Sequence, residues 1–110
     1  MQRVILTLIS VLSLSGAAHG SGQAQTKPIV PAPVFEIIQK RCAVCHAQNP
    51  SYKDVHAPPN GVLLDTPDEI VSNRQAIKTA AVLTHFMPLN NLTGMTKEER
   101  KIIETWSKYN

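Results

Sequence analysis

Cys42-Ala43-Val44-Cys45-His46 contains both cysteines of the chain, three positions apart, with a histidine directly after the second. On a helical turn, two thiols at this spacing can reach the two vinyl groups of one porphyrin and form thioethers. The imidazole that follows then lies under the ring plane and can bind the iron from one side. C-x-x-C-H thus reads as the attachment sequence of a c-type haem, with Cys42 and Cys45 as covalent anchors and His46 as an axial ligand. Plainer readings are a dithiol redox pair, half of a zinc site, or chance. A structural zinc site needs four ligands, and the chain has no further cysteine. A thioredoxin-like pair belongs beside a β-α-β pattern, which the rest of the sequence does not offer.

The start of the chain supports the same reading. Met1-Gln2-Arg3 is a short basic opening, and Val4 to Ala18 is an uncharged, mostly apolar run of 15 residues. Such a run falls short of the ~20 residues a spanning helix needs. With the small residues after it, the segment reads as an export signal over 1–20, cleaved after Gly20 or as late as Ala24. An uncleaved N-terminal anchor is the alternative. Export implies the periplasm, the side of the bacterial inner membrane on which haem is attached in this way. Loss of Arg3 leaves ten basic and eight acidic residues, a net charge of +2. The basic residues are dispersed, so no nucleic-acid surface is read from them. About 85–90 residues remain, with one Trp, two Phe and two Tyr, a small payload for an independent core. A covalently held porphyrin at the centre would remedy this.

Residues 21–33 are polar and then proline-rich, and read as a flexible leader. From Val34 the apolar residues Val34, Phe35, Ile37, Ile38, Cys42 and Cys45 recur at helical spacing, which predicts a helix over about 34–45. Residues 49–64 carry Pro50, Pro58, Pro59 and Gly61 and read as an irregular loop, with Val62, Leu63 and Leu64 pointing to some burial. Thr66-Pro67-Asp68-Glu69 has the signature of a capping box and opens a helix over about 67–80, which Ala80 to His85 either continues or follows as a separate turn. Met87 to Gly94 breaks regular structure. Thr96-Lys97-Glu98-Glu99 is a second capping box, opening a helix over 97–108 with an apolar stripe of Ile102, Ile103 and Trp106. Trp106 is expected to pack on the first helix near Phe35. The carboxylates Asp68, Glu69, Glu98 and Glu99 occupy first turns of helices, where capping explains them.

The iron has a second axial position. Met87 precedes Pro88 in a loop between two helices, 41 residues after His46. A thioether held there could meet the iron opposite the imidazole, an arrangement that raises the reduction potential and favours simple electron transfer. Met95, His85 and His56 stay open as alternatives. Met95 lies just before Thr96, where packing is the commoner role of a methionine. His85 would make a bis-histidine site, and His56 lies in the proline loop.

From about residue 34 to 108 the chain resembles a class I cytochrome c. It has a first helix leading into the attachment motif, a loop placed to wrap a haem edge, a Met-Pro ligand loop, and a last helix with an aromatic residue. A closer resemblance rests on Met87-Pro88-Leu89, Asn91, Thr93-Gly94-Met95-Thr96 and Glu99-Arg100, together with Gly61-Val62, Leu64-Asp65-Thr66-Pro67 and Glu69-Ile70. These stretches are similar to the C-terminal cytochrome c domain of the bacterial membrane-bound urate hydroxylase (urate oxidase) family. The resemblance implies an all-α fold over 34–110, of three to four helices and loops around one covalent haem c. It implies Cys42, Cys45, His46 and Met87 as the haem site. In that family the cytochrome follows a multi-span membrane domain. Here an export signal stands in that place, so urate oxidation does not carry over, although a separate membrane partner is conceivable.

The expected function is that of a periplasmic, monomeric, mono-haem electron carrier, not an enzyme, exchanging single electrons with redox proteins through small transient interfaces. Two alternatives stay open. One is a detached cytochrome subunit of a membrane dehydrogenase or urate-oxidising system. The other is a haem sensor or enzyme with an open axial site. Mass spectrometry of the mature protein is expected to find one haem covalently attached. Cys42→Ala or Cys45→Ala is expected to abolish stable double attachment.

Overall fold

The computed structural model describes residues 29–109, together with the isolated Gly16, Gly20 and Gly22. The rest of residues 1–28, on which the expected export signal and most of the expected leader fall, lies outside the described residues. Among the described residues every regular element is helical and there is no strand, so the fold is all-α. In chain order the elements are α1 (Ala32–Arg41), α2 (Pro67–Ser72), α3 (Arg74–Ile77), a π-helical stretch (Lys78–Leu83) and α4 (Lys97–Lys108), with single 3₁₀ turns at Pro59–Gly61 and Leu89–Asn91.

α1 begins two residues before the expected start and ends four before the expected stop. Pro33 fits inside its first turn, because that turn needs no backbone donor from it and its φ is already helical. Lys40 and Arg41 occupy the last turn, where the dipole favours cations. The helix stops because the Cys42 and Ala43 N–H groups both bond to the Ile38 carbonyl, each at 2.9 Å, which ends the regular ladder.

Both capping boxes form in full. In α2 the Glu69 N–H donates to Thr66 Oγ1 at 3.3 Å, and the Thr66 N–H donates to Glu69 Oε2 at 3.0 Å. In α4 the equivalent pair, Glu99 to Thr96 Oγ1 and Thr96 to Glu99 Oε2, lies at 3.1 and 2.9 Å. α4 spans the expected residues.

The helix expected over 67–80 is instead broken and then widened. Asn73 leaves helical geometry (φ −98°, ψ 10°), and its side-chain amide donates to the Glu69 carbonyl at 2.9 Å. This is the competition an Asn side chain brings to a helix interior. After α3 the hydrogen bonds lengthen by one residue, so that the Thr84 N–H reaches the Thr79 carbonyl at 3.0 Å. The run therefore continues through Leu83, and Ala80 to His85 is only partly a separate turn.

The core draws one or more side chains from each helix. Val34, Ile37 and Ile38 come from α1, Ile70 and Ile77 from α2 and α3, Ala81 from the widened stretch, and Ile103 and Trp106 from α4. Leu64 and Met95 join from the flanking segments, and Phe35 and Val62 pack at the edge. Trp106 thus shares a cluster with α1, as expected, and its ring also carries the Arg74 guanidinium 4.7 Å from its centroid. The buried stripe on α4 is rotated slightly from the expected one. Ser107 replaces Ile102 on the buried face, and Ile102 is 39% exposed. Residues 103, 106 and 107 lie on one side of a 3.6-residue turn, and 102 is one step round from it. Ile38 has no exposure. Ile38→Ala is expected to cost about 2–5 kcal/mol in urea unfolding, through lost burial and the void left behind.

Candidate cofactor-binding site

The Cys42–His46 motif forms a single turn just beyond α1, outside the helix itself. The N–H groups of Cys45 and His46 both bond to the Cys42 carbonyl, at 3.1 and 2.9 Å. This closes one tight turn that gathers the two thiols and the imidazole on one wall of an internal cavity of about 350 Å³. The intervening Ala43 and the following Ala47 are buried on the protein side of the turn. Their small side chains let the turn seat closely while the ligating types face the cavity.

The cavity is lined mainly by apolar side chains. Val55, Pro59 and Val62 come from the irregular loop, and Ile77, Ala80 and Ala81 from α3 and the widened stretch. The 86–93 segment closes it with Phe86, Met87, Pro88, Leu89 and Leu92. Met87 therefore lines the same cavity as Cys42, Cys45 and His46. The three alternative residues for the second ligand do not. Met95 is buried in the core, with its N–H and carbonyl both bonded to the Asn91 side chain. His85 and His56 are exposed and are not part of the cavity wall.

His46 is held in a defined orientation. Its Nδ1 lies 3.2 Å from the Val62 carbonyl, which can only accept, so Nδ1 carries a proton and the neutral ring has its lone pair at Nε2. Val62 is itself positioned by the 3₁₀ turn at Pro59–Gly61, in which Asn60 and Gly61 have φ of 54° and 67°. The backbone on either side is tied down as well. The Leu64 N–H donates to the His46 carbonyl at 2.8 Å, and Gln39 Nε2 donates to the Leu64 carbonyl at 2.9 Å.

Both thiols are shifted away from reactivity. Burial pushes the Cys42 thiol up to about 12, against the opposing charge of Arg100, and burial also raises Cys45. The motif sits at the C-terminal end of α1, where the helix dipole disfavours a thiolate. Activated redox cysteines have the opposite setting, at a helix N-terminus with a lowered pKa.

Several residues that support the site carried no such assignment in the sequence reading. Arg41, next to Cys42, makes a two-pronged ion pair with Glu99. Its Nε and Nη2 donate to the two carboxylate oxygens at 2.9 and 3.0 Å. Its Nη1 donates to the Thr93 carbonyl, and Thr93 Oγ1 donates back to the Arg41 carbonyl at 2.9 Å. Arg100 donates from Nη1 to the carbonyls of Ala81 and Met87 at 2.5 and 3.0 Å. Capping accounts for Glu99 only in part. The Arg41 contact spans 58 residues of chain, and no local pattern encodes it.

Compared with known proteins, the chain matches no family model, no curated protein and no solved structure.

The Arg41 guanidinium, aided by the Thr96 N–H and opposed by partial burial, holds the Glu99 carboxyl below its ordinary value of 4.5. A depressed carboxylate pKa contributes stability that is complete above the ordinary value and is lost as pH falls through the folded value. Unfolding midpoints are therefore expected to drop for the native chain over the acidic interval that opens at the ordinary value of 4.5 and runs downward. Glu99→Gln should start less stable at neutral pH and lose less across that interval.

Proposed function

We propose that the protein is a class I c-type cytochrome that carries single electrons in the periplasm. The cavity would hold one haem c, attached through Cys42 and Cys45 and ligated by His46 and Met87. The observation that carries this reading is the convergence on one apolar cavity of four residues separated by up to 45 positions, with the imidazole lone pair left free by the Val62 carbonyl.

The residues present fit the group. A cavity of about 350 Å³ with an apolar lining and a few placed polar atoms falls within the ~300–1,000 Å³ of cofactor sites. Its soft and borderline donors, a methionine thioether and a neutral imidazole, are the pair that suits low-spin haem iron. Bound there, haem supplies one-electron exchange at its iron. The chain's own residues do the rest. Cys42 and Cys45 anchor, and His46 binds in an orientation set by Val62. Met87 would supply the second donor, and the apolar lining would exclude water. The raised thiols speak against a dithiol redox pair, which needs an accessible thiolate.

The test is the absorption spectrum of the mature protein beside that of Met87→Ala. The native protein is expected to show a ferric band toward the red end from methionine–iron charge transfer. In Met87→Ala the haem should remain attached by mass while the spin state changes and ferrous protein binds carbon monoxide readily. An unchanged spectrum in the variant would reassign the ligand to Met95 or His85.

A further inference from the structure

The segment that carries Met87 has little to hold it in place by itself. Between residues 85 and 94 four positions have left-handed backbone: His85 (φ 55°), Asn90 (50°), Asn91 (48°) and Gly94 (72°). Three of these carry side chains, which L-residues adopt reluctantly in that region. Such a backbone persists only where the surroundings over-determine it.

Arg41 holds the far end of the segment through Thr93, and Arg100 holds its middle. The Arg100 Nη1 donates to the Ala81 carbonyl at 2.5 Å and to the Met87 carbonyl at 3.0 Å, and its Nη2 reaches Asn91 Oδ1 at 3.4 Å. Asn91 Oδ1 also accepts the Met95 N–H at 2.9 Å. One planar guanidinium thus joins the end of the widened helix, Met87 and the Asn91 turn. The Ala81 carbonyl is one that the helix end leaves without an intrahelical donor. The preceding residue, Glu99, holds Arg41 and with it the Cys42–His46 turn. Two consecutive residues of α4 therefore brace the two segments that bring Cys42, Cys45, His46 and Met87 to the cavity.

We infer that Arg100 is a positioning residue that keeps the Met87 thioether in the cavity and so decides how readily an external ligand displaces it. The inference rests on Met87 being the iron ligand. An external ligand competes with the closed arm, and its apparent affinity scales with the open population. Lysine cannot replace the fork, since its ammonium is a single point that cannot span three acceptors in a plane.

The experiment uses the mature haem-loaded protein in its ferric form, titrated with imidazole, for native chain, Arg100→Met, Arg100→Lys and the core control Ile103→Val. Arg100→Met is expected to bind imidazole about tenfold more tightly, with a weakened red-end methionine band and faster peroxide conversion of Met87 to its sulfoxide, read by peptide mass spectrometry. Arg100→Lys should fall between it and the native protein. Ile103→Val should lower the unfolding midpoint and leave imidazole affinity unchanged, which separates positioning from general stability. Native imidazole affinity in either Arg100 variant overturns the inference, and Arg100→Lys serves if Arg100→Met does not mature. A native protein with haem attached but no methionine band overturns the ligand reading itself, whatever the Arg100 variants do.

Discussion

The pairing of Arg41 with Glu99 sets the distance between the two ends of the site. Their side chains are only 13% and 18% exposed, so this two-pronged contact is screened less than a surface ion pair. Glu99 serves two purposes with one carboxylate. Its Oε2 accepts the Thr96 N–H that starts α4 and the Arg41 Nε–H that ends α1. The start of one helix and the end of another are thereby joined, and the Cys42–His46 turn follows directly from the joint. Thr93 closes the link with reciprocal bonds to Arg41, bringing in the segment that carries Met87. Loss of either charge would leave its partner partly buried and unpaired, a larger cost than the contact contributes.

Around this joint the irregularities of the backbone concentrate on the cavity. Asn73 interrupts the second helix, the hydrogen bonds widen from Lys78 to Leu83, and the left-handed residues gather in the two loops that line the site. Asn73, Ala80, Asn60 and Met87 all belong to the wall. An extra residue per turn redirects everything after it, and such stretches favour functional sites. Here the effect is to bring the Met87 N–H onto the Ala80 carbonyl at 2.9 Å, folding the methionine segment back across the helix end.

The Cys42–His46 turn divides its residues by size. Alanines at 43 and 47 meet the core, and cysteines and histidine meet the cavity. Burial keeps the thiols protonated, and the Val62 carbonyl fixes a donor at the imidazole Nδ1, a setting unsuited to nucleophilic work by the thiols.

How much of this was legible beforehand follows from the range of each interaction. The capping boxes and the extent of α4 were readable because Thr96, Glu99 and the apolar positions act within one or two turns. The all-α class came with the resemblance, and the grouping of Cys42, Cys45 and His46 needed only a single turn of chain. The end of α1 at Arg41, the break at Asn73 and the widened stretch were not readable, since each depends on which acceptor a backbone N–H finds once the chain is packed. Equally hidden were the roles of Arg41 and Arg100, whose partners lie up to 58 positions away. Residue types and short spacings thus determined the helices and the chemistry that the chain can offer. Only the tertiary fold decided that Met87 lines the cavity while Met95 is spent in the core, because that choice belongs to long-range hydrogen bonds and packing.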